Sequence, residues 1–206
     1  MALEYSPNCA IPTMAVVDAG MVELIASTGV RITSSADLFQ HTSASWDERA
    51  LQSHLDASRH VEETLWATFD LIRDRVYSDT RWSEYDVQEF ILEEFDKRVL
   101  ETEDRPYATV NSHSGDPHYE PTREHHSAIR KGDWVLIDLW ARHPGNENVF
   151  ADITWVAYVG KKIPEPYVHV FNIVAAARAA VVARLKEAWR RGEHCRAGNW
   201  MISHGK

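Results

Sequence analysis

GDWVLIDLWARHPGNENVFADITWVAYVG, residues 132–160, consists of two apolar runs, each broken by one aspartate, Asp138 and Asp152. Pro144-Gly145-Asn146 between them is a cluster of turn formers. An antiparallel hairpin centred on Gly145, which lies midway between positions 138 and 152, places the two aspartates directly opposite each other. Opposed residues share a sheet face, with Cβ atoms about 5 Å apart. Two like charges among Trp134, Leu136, Trp140 and Tyr158 repel, and their desolvation adds to the cost. One aspartate is then protonated, or a cation lies between them. A pair of divalent metals bridged by a carboxylate is one catalytic device that resolves the conflict. The competing reading is a shifted register that lets both aspartates reach solvent at a sheet edge.

The chain has 206 residues, room for one large domain or one and a half ordinary ones. A net charge of −9, with Arg190-Arg191 as the longest basic cluster, argues against nucleic-acid binding. No apolar run is expected to reach the roughly 20 residues of a membrane span. The start, MALEYSPNCAIP, has neither the basic nor the apolar region of a signal peptide. Two distant cysteines, Cys9 and Cys195, fit a reduced, cytoplasmic protein.

Outward from the hairpin, residues 11–40 read as strand, helix, strand: a short run at 13–17, helical character over 21–26, and alternation at 30–33. Ser45 followed by Glu48 predicts a capping box. The helix behind it carries Leu51, Leu55, Val61, Leu65, Phe69, Ile72 and Val76 on one stripe. A second helix opens at 82–86 with Val87, Ile91, Phe95 and Val99 spaced by four. Its acids Glu84, Asp86, Glu89, Glu93 and Glu94 read as a solvated face. Residues 107–110 predict a strand, followed by a polar loop to Tyr119. A last helix spans about 164–191, with an apolar stripe of Val170, Val174, Ala177, Val181, Leu185 and Ala188, and Arg178, Arg184 and Lys186 set against a membrane reading. Residues 192–206 show no periodicity.

Among eleven histidines none shows a metal-binding spacing such as HExxH. Adjacent His125 and His126 point to opposite faces of an extended chain. His54, His60 and His169 fall on helices and read as surface residues. His113 and His118 lie in the loop after a strand, where binding residues concentrate. His118 could orient a substrate carbonyl or donate to an oxyanion, although taken alone it reads first as an ordinary polar loop residue. There is no glycine-rich phosphate loop and no G-x-S-x-G elbow.

Four segments occur in one order: 4–40, WSEYDVQEFI at 82–91, PHY at 117–119, and GDWVLIDLWA at 132–141 with FADITWVAYVG at 150–160. This order resembles the pita-bread metallopeptidases, specifically the branch of Xaa-Pro aminopeptidases, dipeptidases and creatinase. The resemblance implies a mixed α/β (α+β) chain with part of a pita-bread fold. Residues 1–43 would be the last β-α-β unit of a creatinase-like N-terminal domain, and 44–206 the first half of the catalytic domain, an antiparallel hairpin and sheet covered by long helices. It further implies that Asp138 and Asp152 are metal ligands, Asp152 bridging two divalent ions (Mn, Co or Zn), and that His118 contacts substrate. The implied chemistry is metal-dependent hydrolysis of peptide bonds next to proline, with a proline-containing peptide as partner, a homodimer as a further possibility, and no nucleic acid or membrane.

There are departures. Trp155 stands where the family commonly has Arg, and the link between the aspartates is longer than in typical aminopeptidases. The family's histidine ligand and two glutamates have no counterpart here, and His204 has no matching context. The expectation is therefore an incomplete chain that binds metal weakly and does not turn over alone. The alternatives are a non-catalytic relative that binds peptide or protein, and a creatinase-like amidinohydrolase, which the retention of both aspartates disfavours.

Overall fold

A computed structural model describes residues 1–9, 12–43, 45–78 and 80–191. The reading of 192–206, with Cys195 and His204, lies outside the described residues. Packing divides the chain into two units, one formed by 1–45 with 165–206 and one by 46–164.

In the first unit β1 (Ala2–Leu3) pairs in parallel with β2 (Thr33–Ser34), and α1 (Ala19–Ser27) runs between them. The β-α-β order is present, but its first strand is not at 13–17. Pro12–Met14 is a 3-10 turn, and the amides of Val16 and Val17 both donate to Glu4 O. Those donors are already used locally, so the apolar run has no ladder to join. Asp18 caps α1 by accepting from Met21 N at 3.0 Å. α2 (Ala36–Ser43) follows β2.

The second unit begins with α3 (Glu48–Tyr77) and α4 (Glu84–Lys97). The N-cap of α3 is Asp47, not Ser45: its carboxylate accepts from Ala50 N at 2.7 Å. An acid there also complements the helix dipole. The capping box instead belongs to α4. Ser83 Oγ accepts from Asp86 N, and Asp86 Oδ2 accepts from Ser83 N at 2.9 Å. After α4 come β3 (Tyr107–Val110), β4 (Trp134–Ala141) and β5 (Ala151–Tyr158), an antiparallel sheet of order β3-β4-β5.

Alternation along β4 assigns its two faces. Val135, Ile137, Leu139 and Ala141 are buried with Val61, Leu65 and Ile72 of α3 and Val87, Ile91 and Phe95 of α4. Trp134, Leu136, Asp138 and Trp140 lie on the other face and are half-buried. At 30 residues, α3 is about 45 Å long, whereas eight-residue strands reach only about 27 Å. Leu51 and Leu55, expected in the core stripe, are 47% and 52% exposed, because the covered face of α3 continues through Ser53 and His54, which meet Val149 N and Phe150 O.

The last helix, α5 (Glu165–Arg190), belongs to the first unit. Its stripe residues Val170, Val174, Val181 and Leu185 are exposed, while Ala188 is buried. The expectation that no run approaches a membrane span is corrected here: an 18-residue window within α5 has mean hydropathy 1.5, long and apolar enough by length and composition. A single such helix is weak evidence, since core helices pass the same test.

Two stability outcomes follow. Ile137→Ala should cost about 2–5 kcal/mol in urea denaturation, and Leu136→Ala on the open face less than half of that. Val99 ends α4 in the left-handed region at φ 55, with its amide on Asp96 O and that of Leu100 on Phe95 O. This is a glycine position held by an exposed β-branched residue. Val99→Gly should therefore raise stability by about 1 kcal/mol, read as a higher denaturation midpoint.

Candidate functional site

The register of β4 on β5 pairs Asp138 with Thr154 and Trp140 with Asp152. The hairpin's midpoint is thus residue 146, one beyond Gly145, and the aspartates are not directly opposed. The loop explains the shift. Its turn is closed by Asn148 N donating to Gly145 O at 3.0 Å, with Asn148 Nδ2 on Pro144 O at 2.9 Å. The reversal therefore spans 145–148 and is not centred on Pro144-Gly145-Asn146. Because Asp152 lies two residues from Thr154, the two aspartates still share one sheet face, as diagonal neighbours with Cβ atoms up to about 7 Å apart.

Their surroundings differ. Asp138 Oδ1 accepts from Thr154 Oγ1 at 2.6 Å. Asp152 makes no hydrogen bond to a described residue, and its carboxyl is held above its ordinary value by desolvation first and by the charge of Asp138 second. Tyr107 of β3 stands across from Asp138, and its ring lies 5.9 Å from that of Trp140, which faces Asp152. The acids are therefore flanked by aromatics, and no described Lys, Arg or His forms an ion pair with either. Two carboxylates suit the oxygen preference of divalent cations. No group of three or more His, Cys, Asp or Glu able to hold a metal occurs among the described residues. The pair fits one wall of a metal site and does not complete it.

His118 is exposed; its amide donates to Asp116 Oδ1 at 2.9 Å, and no side-chain contact joins it to either aspartate. Its neighbour Tyr119 is buried and donates its hydroxyl to Glu84 Oε2 at 2.7 Å. Glu84, expected on a solvated face, is fully buried at the start of α4. Its carboxylate also accepts from Val110 N at 2.7 Å, Ser127 N at 2.7 Å and His113 Nδ1 at 2.9 Å. The His113 ring stacks on Tyr119 with centroids 3.8 Å apart. Burial first, and then the Glu84 hydrogen bond and charge, push the Tyr119 phenol well above its usual value. The pattern Ser83 to Asp86 marks residue 84 as a helix start, but nothing in the sequence marks it as buried. His54 and His60 are half-buried, not surface residues, His54 Nδ1 lying 2.7 Å from Phe150 O.

The description "Metallopeptidase family M24" matches residues 52–198. This chain belongs to that family. Its antiparallel sheet and long helices form part of a pita-bread fold. Three solved structures share the fold at low identity. X-Pro aminopeptidase from Thermotoga maritima is 20% identical with TM-score 0.58, the match covering 79% of this chain and 44% of that one. X-prolyl aminopeptidase from Caenorhabditis elegans, described as a cytosolic enzyme with a di-nuclear active site, is 16% identical with TM-score 0.57, covering 67% and 22%. The N-terminal domain of FACT complex subunit SPT16 from Eremothecium gossypii is 11% identical with TM-score 0.56, covering 81% and 41%. The chain thus spans less than half the length of each. Among curated proteins no sequence gives a significant match.

The raised Asp152 carboxyl sets a pH dependence. Its proton is held more tightly in the folded chain than in the unfolded one, so the folded chain binds more protons between the two values. That contribution to stability is full below the unfolded aspartate value of about 3.9 and is lost as pH rises through the folded one. In Asp138→Asn the Asp152 titration, followed by carboxyl-carbon NMR, should move down but stay above the ordinary value, because desolvation remains.

Proposed function

We propose that the chain serves a metal-dependent exopeptidase acting at bonds next to proline, with Asp138 and Asp152 as two of the ligands of a divalent metal pair and His118 as a substrate contact. One observation carries this reading. In a family of metallopeptidases, two carboxylates share a sheet face, one of them raised by desolvation first and then by the charge of the other, and no cation among the described residues pairs with either. When bound, divalent ions would polarise the scissile carbonyl and activate water. The residues of this chain contribute the rest. Thr154 holds Asp138 in place, Tyr107 and Trp140 flank the acids, and Glu84 through Tyr119 anchors the loop carrying His118.

The proposed substrate is a proline-containing peptide. The division into 1–43 and 44–206, the cytoplasmic location, and the absence of nucleic-acid and membrane partners belong to the same proposal. Because the described residues supply one wall of a metal site, weak binding of Mn²⁺, Co²⁺ or Zn²⁺ and no turnover by this chain alone are expected.

A second reading is a non-catalytic relative that binds peptide or protein. It is favoured by the likeness in fold to a subunit of a complex. Mn²⁺ titration by calorimetry tests the first: Asp152→Ala should lower the bound metal while the circular dichroism spectrum is unchanged, and an unchanged stoichiometry would sink the assignment. Hydrolysis of Ala-Pro by the purified chain would reject the second reading. Saturable peptide binding in metal-free buffer, unaffected by Asp152→Ala, would favour it.

A further inference from the structure

A cavity of about 520 Å³ opens between the end of α3 and the segment preceding β4, lined by Val76, Thr80, Arg81, Ala128, Ile129, Arg130 and Lys131. It lies outside the aspartate face, and nothing in the proposed peptidase chemistry uses it. Three of its lining residues are cations. Six arginines of the second unit have acid partners: Arg49 with Glu147, Arg59 with Asp56, Arg73 with Asp70, Arg98 with Glu94, Arg105 with Glu89 and Arg142 with Glu101; Arg75, over the Trp82 ring, and Arg123 have no acid partner among the described residues. Among the described residues no carboxylate pairs with Arg81, Arg130 or Lys131. The ammonium of Lys131 lies 4.9 Å from the Tyr77 ring, and Asp133, the nearest acid in sequence, takes the Arg130 amide on Oδ2 and Asn111 Nδ2 on Oδ1.

A short backbone pairing lies beside the two arginines. Ser83 and Ala128 form an antiparallel bridge, flanked by Glu84 N on Ser127 O at 3.0 Å and Ile129 N on Trp82 O at 2.8 Å. The bridge is isolated; Arg81 and Arg130 lie two residues beyond it on their two segments, and both line the one cavity. Like charges gathered at one cavity repel, and a guanidinium cannot shed its charge by deprotonation. An anion between them removes the conflict, and two planar forks with an ammonium beside them match the oxygens of a doubly charged oxyanion. The cavity is larger than an inorganic phosphate needs, and Val76, Ala128 and Ile129 offer it an apolar floor.

We propose that Arg81, Arg130 and Lys131 form a binding site for a phosphate monoester, the phosphate held by the two arginines and its organic body resting on Val76 and Ile129. The site is independent of the aspartate pair and of the peptidase reading. The test titrates the full chain with phenyl phosphate and with inorganic phosphate at fixed ionic strength, followed by amide NMR shifts. Saturable shifts are expected at 80–82 and 128–131, with phenyl phosphate binding several-fold more tightly. Arg81→Gln with Arg130→Gln should weaken phenyl phosphate at least tenfold. Arg123→Gln, another exposed arginine without an acid partner, should change it less than twofold. All three side chains are exposed, so an unchanged circular dichroism spectrum confirms that the variants fold. Absence of saturation, an unaltered double variant, or an equal loss in Arg123→Gln would overturn the site. Equal affinity for the two probes would overturn the organic body.

Discussion

The buried carboxylate of Glu84 ties the second unit together. An isolated ionised acid cannot be taken out of water without large cost, and it is tolerated here because its two oxygens receive two backbone amides, a phenol and an imidazole nitrogen. Those donors come from the end of β3, from residue 127 and from the loop between them, while Glu84 itself starts α4. One side chain therefore fixes a helix, a strand and the two ends of a long polar loop. Its place in the first turn of α4 adds the favourable end of the helix dipole. The loop it holds contains His118, so the residue assigned to substrate sits one position from a fixed anchor, Tyr119, and is itself free at the surface.

The same economy appears in the sheet. Alternation along β4 sends four apolar side chains under α3 and α4 and leaves the other face half-covered, with Asp138 and Asp152 on it. A sheet needing only one covered face can carry polar groups on the other. What it does not explain is a pair of acids without a cation. Nor does general surface chemistry explain Arg81 and Arg130 at one cavity without a carboxylate, since most arginines of this unit sit beside one. Both pairs bring like charges together, with opposite sign. Each is least costly when a counter-ion of the matching sign is present.

Much of this was legible in the residues. The two strands of the hairpin, the helices at 48–77 and 84–97, and the strand at 107–110 all follow from periodicity, because each buries one stripe against a common core. The register did not, because Pro144-Gly145-Asn146 has the composition of a turn while the hydrogen bonds that close it are supplied by Asn148 three residues beyond Gly145. The role of Glu84 was hidden for a different reason. Within an acid-rich first turn nothing distinguishes the one carboxylate that meets donors from distant chain segments from its solvated neighbours. Likewise Asp47 displaced Ser45 as the cap of α3, since both satisfy the capping chemistry and only the backbone path decides between them. At 13–17 an apolar run was mistaken for a strand because its amides are bound by Glu4, which no local pattern reveals.

The one-residue shift of the hairpin has a chemical consequence. Directly opposed, the two aspartates would have been equivalent, each equally burdened by the other. In the observed register Asp138 gains Thr154 across the ladder, and its charge is partly compensated by a hydroxyl at 2.6 Å. Asp152 instead lies across from Trp140 and gains no such hydroxyl, and desolvation and the charge of Asp138 raise its carboxyl. A proton or an outside cation relieves that residue, whereas Asp138 is already held in orientation for a cation. The asymmetry thus divides two roles between identical side chains: a pre-positioned acid on β4, and on β5 an acid whose charge is stabilised only when a cation is shared between them.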